Sequence, residues 1–185
     1  MIRRCSIILI LLLAATQRAD CADAASIKQL LDTKSCRGCD LSDANLAGKS
    51  LIGADLRDAI LRDANFRGSN LTDADLSGAR ASGAKFEESV LIRAKLVGTG
   101  MRHASLNGAD LTEADLSFAQ LVETGLGNAK LFGTNLYNTV FEPKTLPDTK
   151  SLADAKNLVS LTYETSSTSL RLLRKEFKEA GLHQG

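Results

Sequence analysis

Every fifth residue from position 41 to position 141 belongs to one apolar series, and that period excludes most ways a chain can fold. The series runs Leu41, Leu46, Leu51, Leu56, Leu61, Phe66, Leu71, Leu76, Ala81, Phe86, Leu91, Leu96, Met101, Leu106, Leu111, Leu116, Leu121, Leu126, Leu131, Leu136, Phe141. Two residues before each of these centres sits a small side chain. It is usually Ala, as at Ala44, Ala54 and Ala74, otherwise Cys39 or a Ser or Thr such as Ser69, Ser89, Thr99 and Thr124, and Lys49 is the single intruder. Five residues advance an α-helix by about 500°, so these Leu would spiral around a helix rather than form a stripe. Five is also odd, so in a straight strand successive Leu would face opposite sides. A chain that turns a corner after each short extended piece satisfies the pattern. Each piece points its small and its large residue inward and the other three outward.

The remaining positions agree with corners. Gly stands at the second place after many centres (Gly48, Gly53, Gly68, Gly78, Gly83, Gly98, Gly108, Gly133), where a turn calls for φ > 0. Asp43, Asp58, Asp63 and Asp73 fill other corner places, where a carboxylate can bond the turn backbone. Segments such as Ala54-Asp55-Leu56, Ala64-Asn65-Phe66, Ala74-Asp75-Leu76 and Ala114-Asp115-Leu116 resemble the A-(D/N)-L-x-x unit of the pentapeptide-repeat family. The resemblance implies an all-β repeat solenoid, a right-handed four-sided β-helix with four units to a turn. It would have about five coils and, at roughly 4.8 Å per coil, stand about 25 Å tall. Short α-helical caps are expected at both ends.

Stacked coils bury what one coil cannot, in continuous columns of Leu and of Ala. Ala81 leaves room that Leu61 and Met101, one coil away, are expected to fill. Lys49 places a charge at an inward position, for which a local bulge or a snorkelling stem is the expected remedy.

The flanks divide the chain. Arg3 and Arg4 before the apolar run Ile7 to Leu13, with Ala22-Asp23-Ala24 behind it, read as a secretory signal over residues 1–24. Residues 25–38 form the N-terminal helical cap, with a capping box at Ser26-Ile27-Lys28-Gln29 and Ile27, Leu30 and Leu31 on one face. The repeats occupy 39–143, and Pro143 and Pro147 stop them. A helical tail follows over 144–185, with a short helix over 148–157 and a better one over 167–180 striped by Leu170, Leu173 and Phe177. The protein is therefore expected to be exported, to a periplasm, the medium or a thylakoid lumen, with no transmembrane segment in the mature chain.

Chemistry has little material. Lys and Arg number 23 against 22 Asp and Glu, a net charge of +1, which argues against a nucleic-acid binder. Signal cleavage would remove Arg3, Arg4, Arg18, Asp20 and Asp23 and leave the mature chain neutral. The resembled family includes DNA-mimicking topoisomerase inhibitors, whose strongly acidic face this charge balance disfavours. Cys36 and Cys39 read as a disulfide in an oxidising compartment or as two buried thiols; zinc would need four ligands, and His103 lies three coils away with His183 in the tail. His103 falls outward with no carboxylate in register, and no catalytic constellation or cofactor motif is present. Arg62 and Arg102 share a face with Arg80 near them. Outward apolar residues Ile92, Val97, Phe118, Phe132 and Tyr137 gather in the C-terminal half as a contact surface for a protein partner, a second copy or the chain's own C-terminal helix. The expected function is a non-enzymatic scaffold presenting that surface. An envelope-associated role, with the basic helix face of Arg171, Arg174, Lys175 and Lys178 on anionic lipid, is the alternative.

Overall fold

The computed structural model describes residues 24–141, 155–156 and the backbone at 162–163. The expected signal segment and the tail stripe at Leu170, Leu173 and Phe177 lie outside these residues. One helix, α1 (Ala24–Thr33), precedes the repeats. From Ser35 on, the chain pairs with itself in parallel at a constant offset of 20: Ser35 with Asp55, Asp40 with Ile60, Asn45 with Asn65, and so through Asp115 with Asn135. Each centre carbonyl accepts from the N–H three residues on, as Leu51 O does from Ala54 N at 3.0 Å and Leu56 O from Ala59 N at 3.2 Å. Four such turns fall within each offset of 20, so every coil has four corners.

The backbone accounting explains why the unit needs five residues and an Asx. In the unit centred on Leu71, Ser69 N closes the preceding turn on Phe66 O, and Asn70 N donates back one coil to Lys49 O. Leu71 N and Asp73 N donate forward to Val90 O and Ile92 O. Only Thr72 N is left over, and the side chain of Asn70 accepts it at 3.0 Å. The same role is filled by Asp40, Asn45, Asp55, Asn65, Asp75, Asp110, Asp115 and Asn135, each two residues before the N–H it accepts. The carboxylates that cap the turns are thus the ones next to the centre. Asp43, Asp58, Asp63 and Asp73 instead occupy the corner place itself with φ of 55–59°, and there Asp58 and Asp73 hold arginines of adjoining coils. Replacing Asp115 by Ala should cost about 1 kcal/mol, the usual worth of such a cap; chemical denaturation of the two proteins side by side measures it.

The left-handed conformation recurs at the second place after every centre from Cys36 to Leu136, on Gly or not. Inside, the centres are buried throughout, and so are the small residues except Cys39, which is half-buried, and Lys49, which is exposed. Phe66 and Phe86 stack ring on ring in adjacent coils, centroids 4.9 Å apart. Ala81, Leu61 and Met101 are all buried in one column. Inward Ser and Thr are satisfied in two ways. Ser69 and Ser89 donate to Phe66 O and Phe86 O in their own turns. Thr99, Thr124, Thr134 and Thr139 reach centre carbonyls in the preceding coil, Thr124 at 2.6 Å from Met101 O.

Three local expectations need correction. Lys49 forms no bulge: its turn bond to Leu46 O and its rung from Asn70 N are intact, and its side chain is exposed. It stands at the first rung of its column, where no repeat coil lies on the other side. Ser26 lies inside α1 rather than at its N-cap, so the capping box is not the helix start. The helix ends where Lys34 N donates to Leu30 O and Lys34 turns left-handed (φ 58°), while Lys34 O accepts from Asp55 N at once. Leu30 is buried, and Ile27 and Leu31 pack against the same core. Finally, pairing outlasts the prolines. The strand β1 (Gln120–Leu121) pairs with β2 (Val140–Phe141), and β2 with β3 (Thr162–Tyr163). Lys156, expected in a short helix, is a β-bridge partner of Asn135. The offsets there grow to 21 and 22, because the intervening chain no longer keeps the five-residue period.

Candidate interaction surface

Because side chains one coil apart stack at an offset of 20, the surface reads as vertical columns. At the corner after the Leu56, Leu76, Leu96, Leu116 and Leu136 centres stand Val97, then Ser117 and Phe118, then Tyr137. Phe118 is 53% exposed and Tyr137 44%, and their rings meet edge to face with centroids 5.5 Å apart. Around the previous corner runs the column Ile52, Thr72, Ile92, Thr112, Phe132, in which Phe132 is 63% exposed. Between the two aromatic corners lies a strip of Lys95, Asp115 and Asn135, the last donating to Asp115 at 3.0 Å. Ile92 and Val97 are half-buried. Sequence reading passed over Ile52, 50% exposed at the far end of the Phe132 column; carrying the offset of 20 back from Ile92 would have found it.

Phe118 is unusual among these residues. It occupies the left-handed corner position (φ 60°), where the chain otherwise uses Gly or a polar residue such as Asp, Asn or Glu. That conformation costs an ordinary L-residue roughly 1–2 kcal/mol relative to its preferred regions. Nothing inside the coil needs an aromatic ring there.

Several opposite charges pair across adjacent coils. Arg93 grips Asp73 with two bonds of 2.8 Å, Lys130 reaches Asp110 at 3.0 Å, and Arg67 approaches Glu87 at 3.3 Å. His103 has a carboxylate in register after all: Glu123, one coil on, lies 2.6 Å from its Nδ1. Arg57 bonds Asp55 within its own unit and holds that carboxyl down at about 2. The Arg93 guanidinium lowers Asp73 likewise. Burial pushes Asp110 up, but the Thr112 hydroxyl and the Lys130 ammonium outweigh it, so it too lies below the ordinary range. Arg62 and Arg102 share a column but not adjacent coils: Ser82 stands between them, its hydroxyl donating to Arg102 O at 3.0 Å.

Cys36 and Cys39 are joined, Cα to Cα 5.2 Å, across the first turn of the stack, whose Cys39 N–H donates to Cys36 O. Cys36 is fully buried as a centre residue. Closing so short a loop stabilises by about 2 kcal/mol on the chain-entropy account. A melting curve with reductant should therefore fall below the oxidised one, while the Cys36→Ala/Cys39→Ala protein should not respond to reductant. Among the described residues, no group of three His, Cys, Asp or Glu side chains is placed to hold a metal ion. No helix among them is long and apolar enough to cross a membrane.

The chain is similar to known proteins in sequence pattern. Residues 35–142 match the family described as Pentapeptide repeats, through overlapping matches over 35–73, 69–108, 89–124 and 109–142. No curated protein matches significantly. Among solved structures, the pentapeptide repeat protein Rfr23 of the cyanobacterium Cyanothece 51142 is 25% identical, covering 63% of this chain and 97% of its own, with a TM-score of 0.49. A pentapeptide repeat protein from the Arabidopsis thaliana thylakoid lumen is 28% identical over 60% of this chain and 71% of its own (TM-score 0.34). QnrB1, a plasmid-mediated fluoroquinolone resistance protein, is 18% identical over 76% of this chain and 86% of its own (TM-score 0.44).

Proposed function

Since the chain belongs to the pentapeptide-repeat family, we propose that it is an exported, non-enzymatic scaffold whose C-terminal half presents a protein-interaction surface at Phe118, Phe132 and Tyr137. The observation that carries this is Phe118, an exposed aromatic kept in a backbone conformation that disfavours it and that the coil could fill with Asn, as it does at Asn128 and Asn138. Local strain retained at a place where the buried interior has no need of the ring points to use of the side chain. Three exposed aromatics on two adjoining corners make a patch of the kind that partners cover.

Phe118→Asn should accordingly stabilise the fold by about 1 kcal/mol, read by denaturation, while weakening partner capture. The surface itself is tested by affinity capture from a periplasmic or luminal fraction, comparing the wild type with a Phe118, Phe132 and Tyr137 triple Ala variant. The same partners from both would discard the patch. The rival occupant is the chain's own segment with Leu170, Leu173 and Phe177. A protein ending after Tyr163 that captures more partner than the full chain would identify that segment as a competitor.

The rest of the proposal is architectural. The coils are right-handed, residues 1–24 are a signal, α1 caps the first coil, and residues after 163 cover the last. Export to an oxidising compartment keeps the Cys36–Cys39 bond formed. Mimicry of DNA finds no support, because opposite charges are paired a coil apart and form no continuous acidic face among the described residues.

A further inference from the structure

Gly100 is a glycine the architecture does not require. Every other described glycine either has a positive φ or, at Gly125 and Gly127, lies against the Asn107 side chain. Gly100 has no positive φ, and a Cβ built there would meet nothing within 4 Å. It sits in a rung, bridged to Arg80 on one side and Gln120 on the other, where glycine only weakens pairing. A glycine at such a place leaves a notch through which another molecule can approach the backbone closely.

The surroundings of the notch are basic. Arg80 is one coil toward the N-terminus in the same column, and Arg102 is two residues along the same unit. Arg62 lies two coils below Arg102, about 10 Å away, with Ser82 between. All three arginines are exposed, and Arg62 and Arg80 have no ion pair among the described residues. Glu123 is held by His103, and Asp63 leans over Gly83, occupying the space a Cβ there would take. The same face borders the Phe118 and Tyr137 corner, so one strip runs from aromatic to basic along roughly 18 Å, the reach of five or six extended residues.

The geometry points to an oxyanion site at Gly100, bounded by Arg62 and Arg80, that receives the carboxylates of an acidic segment of the partner docked on the aromatic corner. The partner's identity as a protein rests on the proposed function; the anion site stands on its own residues. Arginine guanidinium groups supply paired donors to a carboxylate, and the missing Cβ lets the segment's backbone lie close to the rung.

The test uses a fluorescent hexaglutamate peptide and the full chain at low ionic strength, read by anisotropy. Gly100→Val and Arg80→Gln should each weaken binding about fivefold or more, with melting midpoints no lower than the wild type. Lys85→Gln, the same charge loss on the neighbouring face, should leave affinity within about twofold. Equal binding by all four proteins, or none to the wild type at millimolar peptide, overturns the site. Heparin that binds more tightly than the peptide and is lost with Gly100→Val would overturn the acidic peptide in favour of a sulfated polysaccharide. The probe carries no aromatic group, so the triple Ala variant should bind it like the wild type. Loss of the site therefore leaves the aromatic surface to be judged by capture alone, and the reverse.

Discussion

Phe86→Ala should destabilise the protein by about 3–5 kcal/mol, the largest loss expected from any single truncation here. Phe86 is fully buried, and its ring lies face to face on Phe66 at 4.9 Å with the planes 4° apart. Truncation removes the transfer energy of the ring and that contact together. It also leaves a cavity that cannot close, because the coils above and below are held at a fixed spacing by rungs such as Phe86 N to Ser105 O and Lys85 N to Ala64 O. Packed interiors relax only in part around a lost side chain, and a stack of rungs has less freedom to do so than a helical bundle. Guanidinium denaturation measures the loss, with Phe86→Leu as comparison. Leu fills the same position in neighbouring coils at Leu106 and Leu126, so that variant should lose far less. A loss below 1 kcal/mol for Phe86→Ala would mean the column collapses to fill the space.

Ala94→Leu should cost about 3 kcal/mol by the opposite mechanism. Ala74, Ala94 and Ala114 form one column of small residues, each fully buried, and Thr134 continues it with its hydroxyl bonded to Leu111 O. Their spacing along the column is that of the rungs, roughly 4.8 Å, which holds a methyl group and no branched chain. Leucine must either push two coils apart, breaking rungs such as Lys95 N to Ala74 O, or force strained rotamers on its neighbours. Ala94→Ser is the control. Ser69 and Ser89 show that a hydroxyl at this place finds a carbonyl in its own turn, so that variant should stay within about 1 kcal/mol of the wild type. If Ala94→Leu melted like the wild type, the small residues would not be set by coil spacing.

Much of this was legible from the period alone. Five residues fit neither a helix stripe nor a strand face, so the inward positions from Leu41 to Phe141 followed from the sequence, as did the corner place that takes Gly48 or Gly53. The role of the aspartates was legible only in kind. The sequence says that Asp belongs at turns, yet which Asp bonds the turn depends on which N–H the ladder leaves unpaired, and that is a property of stacked coils. Asp115 caps a turn and Asp73 binds an arginine one coil away for that reason.

The surface shows the same division. Outward Phe118, Phe132 and Tyr137 could be named from their places in the unit. The offset of 20 that pairs His103 with Glu123 was available too, but whether the side chains meet depends on rotamers and on coil spacing. Gly100 is the clearest case. In sequence it is one more glycine among corner glycines, one place past Thr99. Only the structure shows that its φ is ordinary, that it lies in a rung, and that nothing fills the space beside it.

What the sequence determined by itself is the inside of this protein, because burial depends on hydrophobic period and side-chain volume, both of which a linear pattern records. What the tertiary structure decided is the outside and the ends. There the bridges between coils join residues 20 to 22 positions apart, and a pairing at that distance exists only after the coils are stacked.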